Sequence, residues 1–275
     1  MPPQAEKKLW EDELLANPHA VADKRARVRG MFAAIAGSYD INNRLHSLWQ
    51  DQRWRRKAVK IAQVRADDVV VDVACGTGDL SIAFARGGAA RVVGIDFTYE
   101  MLPIARGKGG EAGFEEWNLR SQISDLKSGI PDFKSPSCSP VFIAGDAMRL
   151  PLPDGRADVV SIAFGIRNVA DPLAAIREFH RVLRPGGRLI VLEFSLPRNR
   201  VLRGLYNFYF RKILPRTATW ISGDKTGAYR YLPESVNTFI GREQMLGMMR
   251  DAGFGQLEQR SLTLGVCVCY RGVKA

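Results

Sequence analysis

The sequence predicts an α/β fold built on an open, mostly parallel sheet, and three observations carry that prediction. Four short runs, VVVDVA (69–74), RVVGID (91–96), ADVVSIAF (157–164) and RLIVLEFS (188–195), are continuously apolar and rich in β-branched residues. Strands covered on both faces have that character. Between the last two runs lies DPLAAIREFHRVLRPGG, in which Leu173, Ile176, Phe179, Val182 and Leu183 recur on one helical face. Asp171 is the expected N-cap, Pro172 the first helical residue, and Gly186-Gly187 follow the end. Strand, helix, strand in this order is βαβ architecture. Lastly, FGQLEQRSL (254–262) and GVCVCYRGV (265–273) alternate and are joined by a turn containing Gly265, an antiparallel hairpin.

The remaining segments fit around this frame. VFIAG (141–145) is a further short strand. Residues 107–140 are expected to be a mostly polar inserted loop with one helix, running from GKGGEAG to KSPSCSP. Its Gly107-Lys108-Gly109-Gly110 is not a phosphate loop, because the six-residue turn and the GK[ST] ending are missing. Residues 1–60 read as a helical cap or lid and 61–275 as the main domain, with a helical segment at 198–250. Met245, Leu246, Met248 and Met249 have helical spacing and are expected in the core. His180, on the outer face of its helix, is expected in solvent, and His46 has no evident partner.

Composition sets the class. With 275 residues, 46% hydrophobic and 25% charged, the chain can bury a substantial core. No apolar run approaches the ~20 residues of a membrane span. MPPQAEKKLWEDELL lacks the apolar centre of a secretory signal, so a cytoplasmic location is expected. Cys75, Cys138, Cys267 and Cys269 form no CxxC pair and have no His nearby, so no metal site is expected. Cys267 and Cys269 share a strand face and read as buried apolar residues. The net charge of +11, concentrated in 24–30, 53–60 and 198–216, suits an anionic partner without choosing one.

The glycine loop after the first strand, Cys75-Gly76-Thr77-Gly78-Asp79, is the chemical signature. A dinucleotide loop needs a third glycine, and Ser81 stands in that place. A pyrophosphate wants bare N–H groups at a helix N-terminus, where Asp79 would repel it. An acid there suits a ligand with a cationic head and no phosphate, which describes S-adenosylmethionine (SAM). Asp96, ending the second strand, can take both ribose hydroxyls; Asp146 can accept from an adenine amino group, with Ala147 beside the ring. Three such elements at strand C-termini converge on the crevice where open α/β sheets bind ligands. On the acceptor side the fourth strand runs into GIRNVADP. There is no N-P-P-Y turn for an exocyclic amine and no nucleophilic Cys for a pyrimidine carbon, so nucleic acid is not the expected substrate.

These pieces together resemble the ubiquinone/menaquinone biosynthesis C-methyltransferase family. The matching stretches are MFAAIAGSYDINNRLHS (31–47), Trp54-Arg55, VVDVACGTGDL (70–80) and the run from Gly145 to Pro172. RVLRPGGRLIVLEFS (181–195) and YRYLPESVNTFIGREQM (229–245) complete them, so most of 29–273 is covered. The resemblance implies a class I SAM-dependent methyltransferase with a seven-stranded sheet and helices on both faces. It implies methylation of a ring carbon of a polyprenylated quinol, demethylmenaquinol above a benzoquinol, by a protein peripheral at the inner face of an anionic membrane. A homodimer or a complex with other quinone-synthesis enzymes goes with it. Gly76, Thr77, Gly78, Asp96, Asp146 and Ala147 are the implied cofactor residues. Arg167 and Asn168 are the implied acceptor-side pair, with Arg167 stabilising the quinol oxyanion and Asn168 orienting the ring. Tyr39 and Asp40 belong to the segment that closes over the cofactor, and Tyr39 is the third candidate catalytic residue, either contacting substrate or packing the lid. Ala163, Trp49 and Asp51 depart from many relatives, which have Ser, a small residue and His there. Two other readings stay open: a SAM-dependent methyltransferase of another small molecule or of RNA, and a silent SAM-binding scaffold. Residues 201–221 mix aromatic, aliphatic and basic residues as a membrane-surface segment or a pocket lid would.

Overall fold

The computed structural model describes residues 9–109 and 139–275. Seven strands form one sheet: β1 (Val69–Val73), β2 (Arg91–Asp96), β3 (Val141–Ala144), β4 (Ala157–Ala163), β5 (Leu183–Phe194), β6 (Phe254–Leu262) and β7 (Cys267–Lys274). Their order is β3-β2-β1-β4-β5-β7-β6. The first five are parallel; β7 pairs antiparallel with both β5 and β6. The class predicted from the sequence is therefore the class observed. Chain direction across the sheet reverses between β1 and β4, which opens a crevice at the C-terminal ends of those strands.

Eleven helices among the described residues flank the sheet. Those before and within its parallel half are α1 (Asp12–Leu15), α2 (Lys24–Ile35), α3 (Tyr39–Ser47), α4 (Gln50–Ala62), α5 (Asp79–Arg86), α6 (Leu102–Gly109) and α7 (Pro172–Val182). After β5 come α8 (Arg200–Phe208), α9 (Leu214–Ser222), α10 (Ala228–Asn237) and α11 (Arg242–Asp251). Asp171 caps α7 as expected, its Oδ1 accepting from the Ala174 N–H at 3.0 Å, with Pro172 at the first helical position. Strand β5 starts earlier than its apolar run suggests. Leu183 already pairs with Ala157, and the irregular stretch through Pro185 and Gly187 hides the continuity in the sequence.

Two apolar layers pack on opposite faces of the sheet, one including Val71, Ile162, Phe179 and Met249, the other Trp54, Phe84, Val159 and Ile190. A third cluster ties the N-terminal helices to the helices after β5 through Trp10, Met31, Phe210 and Tyr231. Trp10 and Tyr231 stack at 4.3 Å between ring centres. This cluster sets a helical cap over the crevice. Met245 and Met249 are buried with Leu246 and Met248 packed beside them, and Cys267 and Cys269 are buried in β7. His180 departs from its expected solvent exposure: it is half-buried, edge-on to Phe254 at 5.1 Å, because the hairpin folds back over α7. Gly107–Gly109, expected in a loop, continue α6; the rest of the polar insertion and Cys138 fall mainly outside the described residues.

Candidate active site

The glycine loop turns from β1 into α5 through left-handed backbone at Ala74 (φ 52°), Gly76 (φ 54°) and Gly78 (φ 81°). A Cβ on Gly78 would sit 2.8 Å from the Phe142 ring, so the loop packs against β3 only because that position is bare. Where a third glycine was missing, Ser81 has a positive role. Its hydroxyl donates to Asp72 Oδ2 at 2.6 Å, and Ser161 donates to Asp72 Oδ1 at 2.7 Å, tying α5 and β4 to β1. Burial pushes the Asp72 carboxyl up to about 6, against the two hydroxyls that favour its charge.

A cavity opens at the crevice, walled by Gly76, Asp96, Asp146, Ala147, Met101 and Gly165 among others. Asp96 is oriented by the backbone: the Gly76 N–H donates to Oδ2 and the Thr98 N–H to Oδ1, both at 2.7 Å. Burial raises its pKa while those bonds oppose the rise. Asp146 accepts from the Met148 N–H at 3.0 Å and pairs with Arg25 of α2 at 2.8 Å. The cavity thus offers a diol-binding carboxylate and, beyond it, an acid next to an apolar wall at Ala147. That donor set fits the ribose and adenine of SAM. Four of the six expected cofactor residues line this space; Thr77 and Gly78 shape the loop instead.

Asp79 is placed differently from the expectation that it meets the ligand's cationic head. Its carboxylate contacts Lys108 Nζ, accepts from Gln52 Nε2 at 2.8 Å, and lies 3.4 Å from the Arg44 guanidinium. Burial alone would raise its pKa, but Arg55, Lys108 and Arg44 outweigh it and hold the carboxyl below its ordinary value. The local position could not show this, since every partner comes from a distant segment. Lys108 also binds Asp40 at 2.7 Å, and Thr77 Oγ1 donates to Asp40 Oδ1 at 2.7 Å. Asp40 therefore clips the start of α3 to the glycine loop.

A second cavity adjoins the first and shares Phe32, Tyr39 and Phe164 with it. Its walls are aromatic and aliphatic, with Phe194, Tyr229 and Tyr231, and its polar groups come from α3, α4 and the turn after β4. Tyr39 faces both cavities, meeting Phe32 edge-on at 5.9 Å, and burial raises its pKa. Arg167 lines the second cavity. Its Nη1 donates to Glu193 Oε1 and to the Phe164 carbonyl, each at 2.7 Å, and Nε lies 3.3 Å from Ser235 Oγ. Asn168 lines the first cavity, not the second. Its Oδ1 accepts from the Tyr231 hydroxyl at 2.8 Å and its Nδ2 donates to the Phe164 carbonyl at 3.3 Å.

The sequence reading missed several groups here. Asn43, Ser47, Asp51 and Arg55 line the second cavity because α3 and α4 fold over it. Asp51 and Arg55 form a buried i,i+4 pair at 2.9 Å. Lys24, also buried, reaches from α2 to the carbonyls of Arg167 (2.9 Å) and Val169 (2.7 Å) and fixes the turn carrying Arg167. His46, which had no evident partner, lies 3.1 Å from the Tyr209 hydroxyl. Helical spacing could have flagged Asp51–Arg55 as a pair, but nothing local marks it as facing a cavity.

Comparison with known proteins finds relatives over nearly the whole chain. A demethylmenaquinone methyltransferase from Thermus thermophilus is 43% identical over 243 residues, covering 88% of this chain and 99% of its own. A ubiquinone/menaquinone biosynthesis C-methyltransferase from Geobacter is 39% identical over 259 residues, 93% of this chain and the whole of the other. Among solved structures, a SAM-dependent methyltransferase from Thermotoga maritima matches with a TM-score of 0.57 at 19% identity, over 90% of this chain and all of that one. The last shares the fold. The protein is a SAM-dependent methyltransferase, and its residues 20–274 match the model of the ubiE/COQ5 methyltransferase family, to which the chain belongs.

Proposed function

We propose that the enzyme methylates a ring carbon of a polyprenylated quinol, demethylmenaquinol first and a benzoquinol of ubiquinone synthesis as the second candidate. One observation carries the reading: an aromatic-walled cavity containing two arginines and a carboxylate adjoins the cofactor cavity across Tyr39 and Phe164. A flat aromatic ring with ionising hydroxyls suits that lining. The names of the Thermus and Geobacter relatives support the same substrate class.

SAM bound in the first cavity supplies an already activated methyl group. The chain's own residues then have two tasks. Phe32, Tyr39 and Phe164 hold the acceptor against the opening between the cavities; positioning of this kind supplies roughly 7–11 kcal/mol of a barrier. The second task is to raise the electron density of the ring, which requires a quinol oxygen to lose its proton. Arg167 serves as a hydrogen-bond donor to an acceptor oxygen, with Glu193 and the Phe164 carbonyl fixing its fork. Asn168, held by Tyr231, stiffens the wall between ring and methyl donor instead of gripping the ring directly.

The substrate's prenyl tail places the reaction at a membrane surface, and the protein's exterior supports peripheral attachment there. Of the eleven large apolar side chains exposed among the described residues, nine lie in 41–49 and 201–220. Residues 198–223 hold six Arg or Lys and no Asp or Glu. Apolar stripes among basic residues suit an anionic bilayer. Transfer of label from SAM to reduced demethylmenaquinone and to the methoxy-polyprenyl benzoquinol, compared in detergent micelles, tests the acceptor. Incorporation into either one supports the reading and decides the ring.

A further inference from the structure

The acceptor cavity has to take a proton from the quinol hydroxyl, and its lining can be searched for a group able to do so. Arg55 and Arg167 carry only donors and have no acceptor for a proton. Tyr39, Tyr229 and Tyr231 are poor acceptors, burial having raised the pKa of each. Asn43 and Ser47 are neutral. One carboxylate remains among the described lining residues, that of Asp51.

Asp51 is 4% exposed and stands in the first turn of α4. Its Oδ2 accepts from Arg55 Nη1 at 2.9 Å and Gln52 Nε2 at 3.0 Å, and its Oδ1 accepts from Ser47 Oγ at 2.9 Å. Three donors fix the carboxylate and leave acceptor capacity on Oδ1, since a carboxylate has about four lone-pair sites. Arg55 stacks over the Phe164 ring at 5.4 Å, and Phe164 is a wall common to both cavities.

From this arrangement we propose that Asp51 is the proton acceptor of the reaction and Arg55 the cation that stabilises the quinolate. The assignment rests on the quinol reading above. The hydroxyl proton passes to Asp51, leaving its electron pair on the quinol oxygen. That pair flows into the ring, the ring carbon forms a bond to the methyl group, and the carbon–sulfur bond breaks with its pair on sulfur. The hydrogen on the methylated carbon then leaves as a proton to water, and its bonding pair restores the aromatic ring. The resulting oxyanion takes back the proton from Asp51, so one proton in total reaches solvent. The charge logic explains how a carboxylate beside a guanidinium can act as base. As the proton moves, the Arg55 guanidinium exchanges one anionic partner, the Asp51 carboxylate, for another, the quinolate oxygen. Up to methyl transfer the guanidinium therefore always has one anion beside it.

The test uses the full-length enzyme with a short-chain 2-prenyl-1,4-naphthoquinol and a ring-halogenated analogue whose hydroxyl is more acidic. Asp51→Asn and Asp51→Glu are compared with wild type for kcat, KM and SAM affinity by calorimetry. The expected result is a fall in kcat of roughly 100-fold for the Asn variant, with SAM affinity retained and Asp51→Glu recovering at least about tenfold of the loss. The deficit should shrink with the halogenated acceptor, because that hydroxyl needs less help to ionise. An Asn variant within about threefold of wild type overturns the assignment. So does an equal deficit with both acceptors, since a purely structural role ignores hydroxyl acidity. Failure of the wild type to methylate any naphthoquinol or benzoquinol overturns the acceptor reading, and the assignment with it.

Discussion

Single residues hold the acceptor-side turn, and they do so through partners far away in sequence. Lys24 Nζ has three acceptors, the carbonyls of Arg167 and Val169 and His19 Nδ1 at 3.3 Å, while His19 Nε2 is 2.9 Å from the Ser235 carbonyl. That pattern requires His19 neutral with its proton on Nε2. Burial, followed by Lys24, lowers the His19 pKa against the opposing Ser235 bond; burial, then Arg167, lowers Lys24 to about 8. Both groups are bases with folded pKa values depressed, so the unfolded chain binds more protons and stability rises with pH through each window. For His19 the loss comes as pH falls below its ordinary 6.5. Lys24→Met leaves two backbone carbonyls without their donor, which costs about 1–3 kcal/mol each if buried. We expect kcat to fall about tenfold through the displaced Arg167 turn, with SAM affinity little changed. A Met variant with unaltered turnover would show that the turn holds itself.

Asp96 belongs to this scale too. It takes two backbone N–H groups and faces the cavity, so Asp96→Asn should weaken SAM binding by roughly 10- to 100-fold, the worth of a hydrogen bond to a charged group. Calorimetric titration reads this directly, and unchanged affinity would remove Asp96 from the site. The sequence could single out Asp96 because a strand-end acid after a glycine loop is a local pattern. It marks Asp51 as a departure from relatives and Arg55 as part of a matching pair, but gives no role to them or to Lys24, whose contacts exist only once α2 and α4 are packed. It misplaced Asp79 for the same reason: Lys108, Gln52 and Arg44 converge on it from three other elements.

At the level of elements, β1 is the organising strand, flanked by β2 and β4. Asp72 at its centre joins it to α5 and β4 through two serine hydroxyls. The strand was legible as an apolar β-branched run, yet its one acid gave no local hint of what it bonds. Raising the Asp72 pKa from its ordinary 3.8 to about 6 corresponds to about 3 kcal/mol disfavouring the ionised form in the folded state. The folded chain therefore binds the extra proton between those values, and stability falls as pH rises from about 4 to 6. Asp72→Asn keeps the same shape without the charge, with the serine hydroxyl that faces Nδ2 turned round to accept. Relative to wild type it should gain up to about 3 kcal/mol in unfolding free energy between pH 4 and 7. Parallel denaturation curves at the two pH values would contradict the burial argument.

Helix α3 couples the two cavities to the surface. Tyr39, Asn43 and Ser47 lie on its inner face, while Ile41 and Leu45 are on the outer one and exposed, as is Leu48 just past its end. Such an element reads poorly in sequence, because both of its faces carry apolar and polar groups. Its start is clipped by Asp40 to Thr77 and Lys108, so Lys108→Met should loosen the cap. We expect a several-fold higher Kd for SAM and a faster off-rate in stopped-flow, without loss of the global fold. Equal off-rates would mean that the clip does not hold the cap.

The whole molecule is a sheet with its chemistry at one edge of the strands and a helical cap over it. The parallel strands, the hairpin and α7 followed from hydrophobic periodicity, which local chemistry writes into the sequence. Periodicity does not show how the N-terminal helices join those after β5, which depends on the cluster of Trp10, Met31, Phe210 and Tyr231 drawn from opposite ends of the chain. Among the described residues no helix is long and apolar enough to cross a membrane. The outward stripe of Val201, Leu205 and Phe208 on α8, each more than 60% exposed, is the proposed contact with a bilayer. Leu205→Glu with Phe208→Glu should abolish co-sedimentation with phosphatidylglycerol vesicles, and activity on a short-chain quinol in micelles should survive. Vesicle binding unaffected by the double change would move the contact elsewhere.

The most direct measurement for the central claim is the transfer of labelled methyl from SAM to reduced demethylmenaquinone by the purified enzyme. The account predicts label on the ring carbon, lost with Asp51→Asn and Arg167→Ala while both variants still bind SAM. Contradiction would be SAM binding by the wild-type enzyme with no label in either the naphthoquinol or the benzoquinol.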